Sequence, residues 1–183
     1  MRRRQPLPTL WLMTDPRFGD GLLDAIRRLP FRSGVIFRHY NMDPSERHVL
    51  FRKVAHVCRQ RGHMLLLAGD ARSASKWRAD GFHQRSAGSR KLFHTAPVHN
   101  RRELAEARRV GVDAVLVSPL FRTASHPDAP ALGLMAFNRI ARQARGMAVI
   151  ALGGISRGKA KMLYPKLIDG WAAIDAFRIK REN

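Results

Sequence analysis

Short apolar runs alternate with amphipathic ones along nearly the whole chain. The apolar runs are "TLWLMTD" (residues 9–15), "GVIFRHY" (34–40), "MLLLAGD" (64–70), "GFHQ" (81–84), "KLFHTAPV" (91–98), "AVLVSPLF" (114–121), "AVIALGGI" (148–155) and "GWAAIDAF" (170–177). Each has strand length and is bounded by turn residues. Most are followed by a stretch of helical period: residues 21–29, 44–62, 71–80, 100–111, 134–146 and 156–168. The helical stretches carry their own punctuation. Pro44 opens one and Gly62 stops it; Asn100 with Glu103 three residues later reads as a capping-box variant, and Gly111 ends that helix.

Strands built of unbroken Val, Ile and Leu are buried on both faces, which is the condition of a parallel sheet covered by helices. Eight strand-plus-helix units favour a (β/α)8 TIM barrel over an open sheet. The chain is short for that fold, and only "RIKREN" follows Phe177. The eighth helix is therefore expected to be missing or vestigial. One domain spans residues 1–183, with residues 1–8 as a basic tail.

Composition narrows the class. Apolar residues make up 45% of the 183, enough for a substantial core. No apolar run approaches the ~18 residues of a membrane span. The opening "MRRRQPLPTLWLMTDP" mimics a secretory leader, but its apolar part is brief and Asp15 interrupts it. The single cysteine, Cys58, shares a helical face with Leu50, Val54 and Val57 and reads as a core thiol. These features lead us to expect a cytoplasmic protein without a membrane partner. The 34 Lys and Arg against 14 Asp and Glu give a net charge of +20. Such a chain attracts phosphorylated metabolites and polyanions. The basic residues are scattered along the sequence without interleaved aromatics, so nucleic acid is not expected as the main partner.

In a barrel the chemistry gathers at the C-terminal ends of the strands. Those ends supply Thr14, Asp15, Arg38, His39, Tyr40, Asp70, His83, Gln84, His99, Ser118, Thr123, Ser125, His126, Gly153, Gly154, Ser156 and Asp175. The "ALGGIS" turn, with Gly153 and Gly154, suits a phosphate, because glycines let backbone N–H groups approach an anion. A turn built only for backbone geometry reads the same. Arg38 can clamp a phosphate with its planar fork or pair with Asp15 or Asp70. Asp70 can hold Mg2+ with help from substrate phosphates, or cap the next helix. His83 reads as a core histidine, and His99 reads equally as core or functional. No histidine pair has zinc-like spacing, and no Ser–His–Asp order is readable.

These strand ends, with "LWLMTD", "GVIFRHY", "ADGFH", "VIALGGI" and above all the stretch 98–134, resemble the thiamine phosphate synthase and TenI superfamily over nearly the whole chain. The resemblance implies a single-domain barrel, dimeric in many members. It implies a transferase that joins hydroxymethylpyrimidine diphosphate to a thiazole phosphate and releases pyrophosphate with the aid of Mg2+. Carried over by position, Arg38, Thr123 and Ser125 match pyrophosphate-binding residues. Asp70 matches a magnesium ligand, His99 matches the histidine after the fifth strand, and Gly153 and Gly154 match the thiazole-phosphate turn. The chain departs from the pattern at Ile36, Tyr40, Gly69, Gly88, Pro97, His126 and Asp175, where the synthases carry Gln, Lys, Asn, Asp, Ser, Lys and Ser. His126 would stand in for the lysine. The TenI branch includes thiazole tautomerases, whose catalytic histidine falls at Pro119 here, so that His99 or His126 would have to substitute. The readings are a synthase first, then a tautomerase or regulatory binder, and third a basic polyanion-binding protein.

Overall fold

The computed structural model describes residues 6–88, 91–123, 130–163 and 167–177. Eight parallel strands close on themselves in chain order: β1 (Leu10–Met13), β2 (Gly34–Phe37), β3 (Met64–Ala68), β4 (Gly81–His83), β5 (Phe93–Val98), β6 (Ala114–Val117), β7 (Ala148–Leu152) and β8 (Gly170–Ala173). The ring is shut by β1 pairing with both β2 and β8. Six helices cover it among the described residues: α1 (Leu22–Arg28), α2 (Pro44–Arg61), α3 (Ala71–Lys76), α4 (Arg101–Val110), α5 (Gly133–Gln143) and α6 (Arg157–Leu163). After β8 the described chain makes only a 3-10 turn, Asp175–Phe177, the expected vestige of an eighth helix. Phe177 of that turn stacks on Trp171, with ring centroids 5.9 Å apart. No helix of the described residues is long and apolar enough to cross a membrane.

Local chemistry sets the helix ends. The Asp43 carboxylate accepts from Ser45 N and Glu46 N, Pro44 opens α2, and Gly62 closes it in the left-handed region at φ 63°. Asn100 accepts from Glu103 N at 2.9 Å, as the capping pattern predicts. The Glu103 carboxylate does not return to Asn100, however, and takes the N–H of His99 instead. Cys58 is buried in α2, and burial pushes its thiol up to about 12, so it is an inert core residue.

The barrel interior is closed at its N-terminal end by Trp11. Its ring stacks on Phe93 across the barrel and its indole N–H donates to Pro8 O at 2.7 Å. Gly34, its neighbour on β2, makes room: a Cβ there would lie 2.1 Å from the Trp11 ring. Ile36, Leu66, Leu116, Ile150 and Ala172, all fully buried, continue the apolar cluster that includes Trp11.

All eight strands are shorter than the apolar runs that predict them, and at two the difference moves candidate residues. β2 ends at Phe37 and β6 at Val117, so Arg38, His39 and Ser118 are rim residues, not strand residues. The reason at β2 is local: His39 takes a positive φ of 45°, and the Arg38 N–H leaves the ladder for the Thr14 hydroxyl at 3.0 Å.

Candidate functional site

The loops after the strands bring most of the candidate residues to one end of the barrel. Thr14 and Asp15 follow β1, Arg38 to Tyr40 follow β2, Asp70 follows β3, and Gln84 and Arg85 follow β4. His99 follows β5, residues 118–123 follow β6, and Gly153 and Gly154 follow β7. Ser125 and His126 lie outside the described residues, as does the Asp175 side chain.

Arg38 is fixed at the mouth by the residues of the neighbouring strand end. Its Nε donates to Thr14 O at 3.0 Å and its Nη2 to Asp15 Oδ2 at 2.7 Å. The other Asp15 oxygen accepts from the Arg17 backbone N–H and from its Nε. Burial works to raise the Asp15 carboxyl; the bonds and charges of Arg17 and Arg38 outweigh it and hold the group below the usual carboxylate range. Two guanidinium groups therefore share one carboxylate, and the cluster keeps a net positive charge. Arg38 thus realises the Asp15 pairing, and its Nη1 takes part in neither of those bonds.

Next to it stands an arginine with no distinguishing mark in the sequence. Arg47, in the first turn of α2, donates from Nε to Arg38 O and from Nη2 to Ala68 O. Its guanidinium lies between 5.2 and 5.7 Å from the rings of Phe37, Tyr40 and Trp77. This side chain ties the ends of β2 and β3 together and holds the Arg38 backbone in place. No sequence signal separates it from the other arginines of an amphipathic helix.

Asp70 caps α3. Its two oxygens accept from Ser73 N at 2.8 Å and Ser73 Oγ at 3.0 Å, and the Ser73 N–H is the main cause holding the carboxyl below its usual range. It is exposed and retains lone pairs for a cation. Gly88, near where the resemblance would put a second magnesium aspartate, has no room for a side chain, because a Cβ would lie 2.1 Å from the buried Phe82 ring. Among the described residues no group of three or more His, Cys, Asp or Glu could cage a metal ion. The arrangement fits Mg2+ only in its sparsest form, one carboxylate plus oxygens brought by a phosphorylated substrate.

The histidines divide sharply. His83 is buried, with Nδ1 2.9 Å from the Thr95 hydroxyl. Burial, then the charges of Arg38, His94 and His99, push it down to about 3. It is a neutral core histidine, as expected. His99 is half exposed and held by Glu103: Oε2 accepts from both its backbone N–H and its Nδ1, at 2.7 and 2.8 Å. Arg85 binds the other Glu103 oxygen at 2.6 Å. Burial favours the neutral acid, but the bonds from Arg85 and His99 outweigh it and keep Glu103 ionised. A carboxylate only accepts, so His99 Nδ1 carries the proton and Nε2 is left as the basic or proton-donating atom. Glu103 entered the sequence reading only as a capping residue, and Arg85 not at all.

On the β7 side, Gly153 and Gly154 adopt φ of 96° and 58°. They also pack closely, a Cβ on Gly153 lying 2.7 Å from Pro119 Cα and one on Gly154 lying 2.2 Å from Arg122 O. The loop after β6 runs alongside this turn, with Leu120 N bonded to Leu152 O and Phe121 N to Gly153 O. Lys159 reaches back from α6 to Gly154 O at 3.3 Å and lies 4.3 Å over the Phe121 ring. Glycine is thus required for backbone geometry, and a cation stands beside the turn. Strand order puts this turn on the far side of the barrel from β2 and β3, so the mouth has two cationic poles.

Comparison with known proteins agrees with this picture. The family described as thiamine monophosphate synthase matches residues 21–177. The thiamine-phosphate synthase of Syntrophomonas wolfei is 28% identical over 183 residues, 92% of this chain and 87% of that protein. The thiamine-phosphate synthase of Bacillus velezensis is 27% identical over 141 residues, 72% of this chain and 63% of that one. Among solved structures, a thiamine phosphate pyrophosphorylase from Pyrococcus furiosus superposes with a TM-score of 0.78 at 21% identity, over 94% of this chain and 88% of that one. At that identity the structural likeness is one of fold.

Proposed function

The chain belongs to the thiamine monophosphate synthase family, and from that premise we propose that it acts in thiamine biosynthesis as a synthase-like transferase. It joins hydroxymethylpyrimidine diphosphate to thiazole phosphate. The observation that carries the reading is the pair of cationic poles, Arg38 on one side and the Gly153–Gly154 turn with Lys159 on the other. They are suited to a diphosphate and a monophosphate held at once.

In this reading the C–O bond between the pyrimidine methylene and the diphosphate breaks, and pyrophosphate takes the electron pair. The thiazole nitrogen donates its lone pair to the methylene, and a C–N bond forms. No proton is gained or lost. Arg38 stabilises the charge that builds on the leaving pyrophosphate. Thr123, Ser125 and His126 supply further donors. Asp70 would hold Mg2+, which would add positive charge beside the diphosphate. Gly153 and Gly154 orient the thiazole phosphate through backbone N–H groups.

The test is to supply both precursors with and without Mg2+ and resolve the products by chromatography. Thiamine phosphate formed in proportion to protein supports the transferase; its absence overturns it. Asp70→Asn separates the two roles of that residue. Asparagine caps helices as well as aspartate does, so thermal stability is expected to hold while the stimulation by Mg2+ falls about tenfold or more. A variant that responds to Mg2+ like the parent leaves Asp70 as a cap alone. Arg38→Ala is expected to weaken binding of inorganic pyrophosphate by about 2–5 kcal/mol, read by titration calorimetry. Unchanged affinity in a folded variant would remove Arg38 from the site.

One observation favours a second reading. His99 with its proton fixed on Nδ1 by Glu103 is arranged for acid–base work at Nε2, which is what isomerisation of a thiazole phosphate needs. Turnover of a thiazole phosphate tautomer without the pyrimidine precursor, lost in His99→Asn, supports it.

A further inference from the structure

Seven of the basic residues that look scattered in sequence lie on or just beyond two neighbouring helices. α4 carries Arg101, Arg102, Arg108 and Arg109, and α5 carries Arg139 and Arg142, with Arg145 just beyond its end; all seven are exposed. The two helices are joined through Gln143, whose side-chain oxygen accepts from Arg101 Nε at 3.2 Å and whose backbone oxygen accepts from Arg108. The acids of this region do not neutralise it. Glu103 is turned to Arg85 and His99, Asp113 accepts from His94 N, and Glu106 meets only Arg102, at 3.5 Å. Arg101, Arg108, Arg109, Arg139, Arg142 and Arg145 have no carboxylate partner among the described residues.

Helix stability does not account for the set. Cations in the last turn favour the helix dipole, which explains Arg108, Arg109 and Arg142. Arg101 and Arg102 stand in the first turn of α4, where the dipole opposes them. Arg101 and Arg108, whose backbone positions are about 10 Å apart along α4 by helix rise, both anchor on Gln143 and tie the two helices into one positively charged surface. The face exposes no aromatic side chain, since Phe137 of α5 is buried. Base stacking, on which single-strand binding depends, is therefore not provided.

We propose that the outer face of α4 and α5 docks the phosphate backbone of a nucleic-acid duplex, independently of the chemistry at the barrel mouth. Binding of this kind is indifferent to sequence and steeply dependent on salt, because each neutralised phosphate releases counterions.

The experiment measures fluorescence anisotropy of a labelled 20-base-pair DNA duplex with the whole protein, from about 50 to 200 mM KCl. Saturable binding is expected, weakening steeply with salt. The triple variant Arg109→Gln, Arg139→Gln, Arg142→Gln is expected to lose about tenfold or more in affinity, with a salt slope shallower by about 3. The control triple Arg28→Gln, Arg52→Gln, Arg59→Gln removes the same charge from α1 and α2 and is expected to leave most of the affinity in place. Equal losses in both triples would show diffuse attraction and overturn the proposal. Absence of binding at the lowest salt, or binding to phosphatidylglycerol vesicles in place of the duplex, overturns it as well.

Discussion

Replacing Gly34 with alanine is expected to destabilise the protein by about 3–5 kcal/mol, more than any change at the rim. The new methyl carbon would sit 2.1 Å from the Trp11 ring, with two further ring atoms within 2.5 Å. The ring has nowhere to go. It is fully buried, stacks on Phe93, and donates its indole N–H to Pro8 O. Shifting it adds an unsatisfied buried donor to the overpacking. Urea denaturation reads the loss as a lower midpoint at unchanged slope. A double-mutant cycle sharpens the result: Trp11→Leu is expected to cancel much of the penalty of Gly34→Ala, because the two side chains then no longer compete for one space. A Gly34→Ala protein as stable as its parent would mean that Trp11 does not fill the barrel.

The second large effect is loss of stability in mild acid. His83 is held neutral in the fold, its value pushed down to about 3 from an ordinary 6.5. Below pH 6.5 the unfolded chain binds a proton there that the folded chain refuses, so unfolding becomes easier as pH falls, down to about pH 3. Each pH unit within that window removes about 1.4 kcal/mol, so His83 alone lowers stability by about 2–3 kcal/mol between pH 6.5 and 4.5. His39, His63 and His94 are lowered too, in each case chiefly by burial, and add loss of the same sign. The carboxylates Asp15, Asp70 and Glu103 are lowered as well. Their stabilisation is present above their unfolded values and disappears only as pH falls below them, so the interval from 6.5 to 4.5 isolates the histidines. Urea midpoints measured across it give the slope. His83→Gln keeps a donor for Thr95 and is expected to flatten the slope by about one proton's worth. A His83→Gln slope equal to the parent's would show that His83 titrates normally in the folded protein.

The architecture was legible because it depends on repeated, redundant signals. Eight apolar runs and the helix signals at Pro44, Gly62 and Asn100 each point to the same barrel, and no single misreading would hide it. The site was legible only as a set of positions. Arg38, Asp70, His99 and Gly153–Gly154 were readable as strand-end residues, and for Arg38 and Asp70 the sequence left the partner as one of two alternatives. That Asp15 and not Asp70 braces Arg38, and that Arg47 crosses from a helix to two strand ends, are long-range facts. Linear spacing carries no trace of them. The same limit hid the arginine surface, whose members lie some 40 residues apart until the barrel sets α5 beside α4.

The plug formed by Trp11, Gly34 and Phe93 sits where its three strands begin, at the opposite end of the barrel from Arg38, Asp70 and His99. What keeps the molecule folded is therefore physically remote from what meets a ligand. A lineage can exchange a lysine for Tyr40 or an aspartate for Gly88 without touching the plug, and selection on chemistry can relax or change direction while the scaffold endures. A change at the rim can alter what is bound there while the plug and the eight-stranded ring stay as they are.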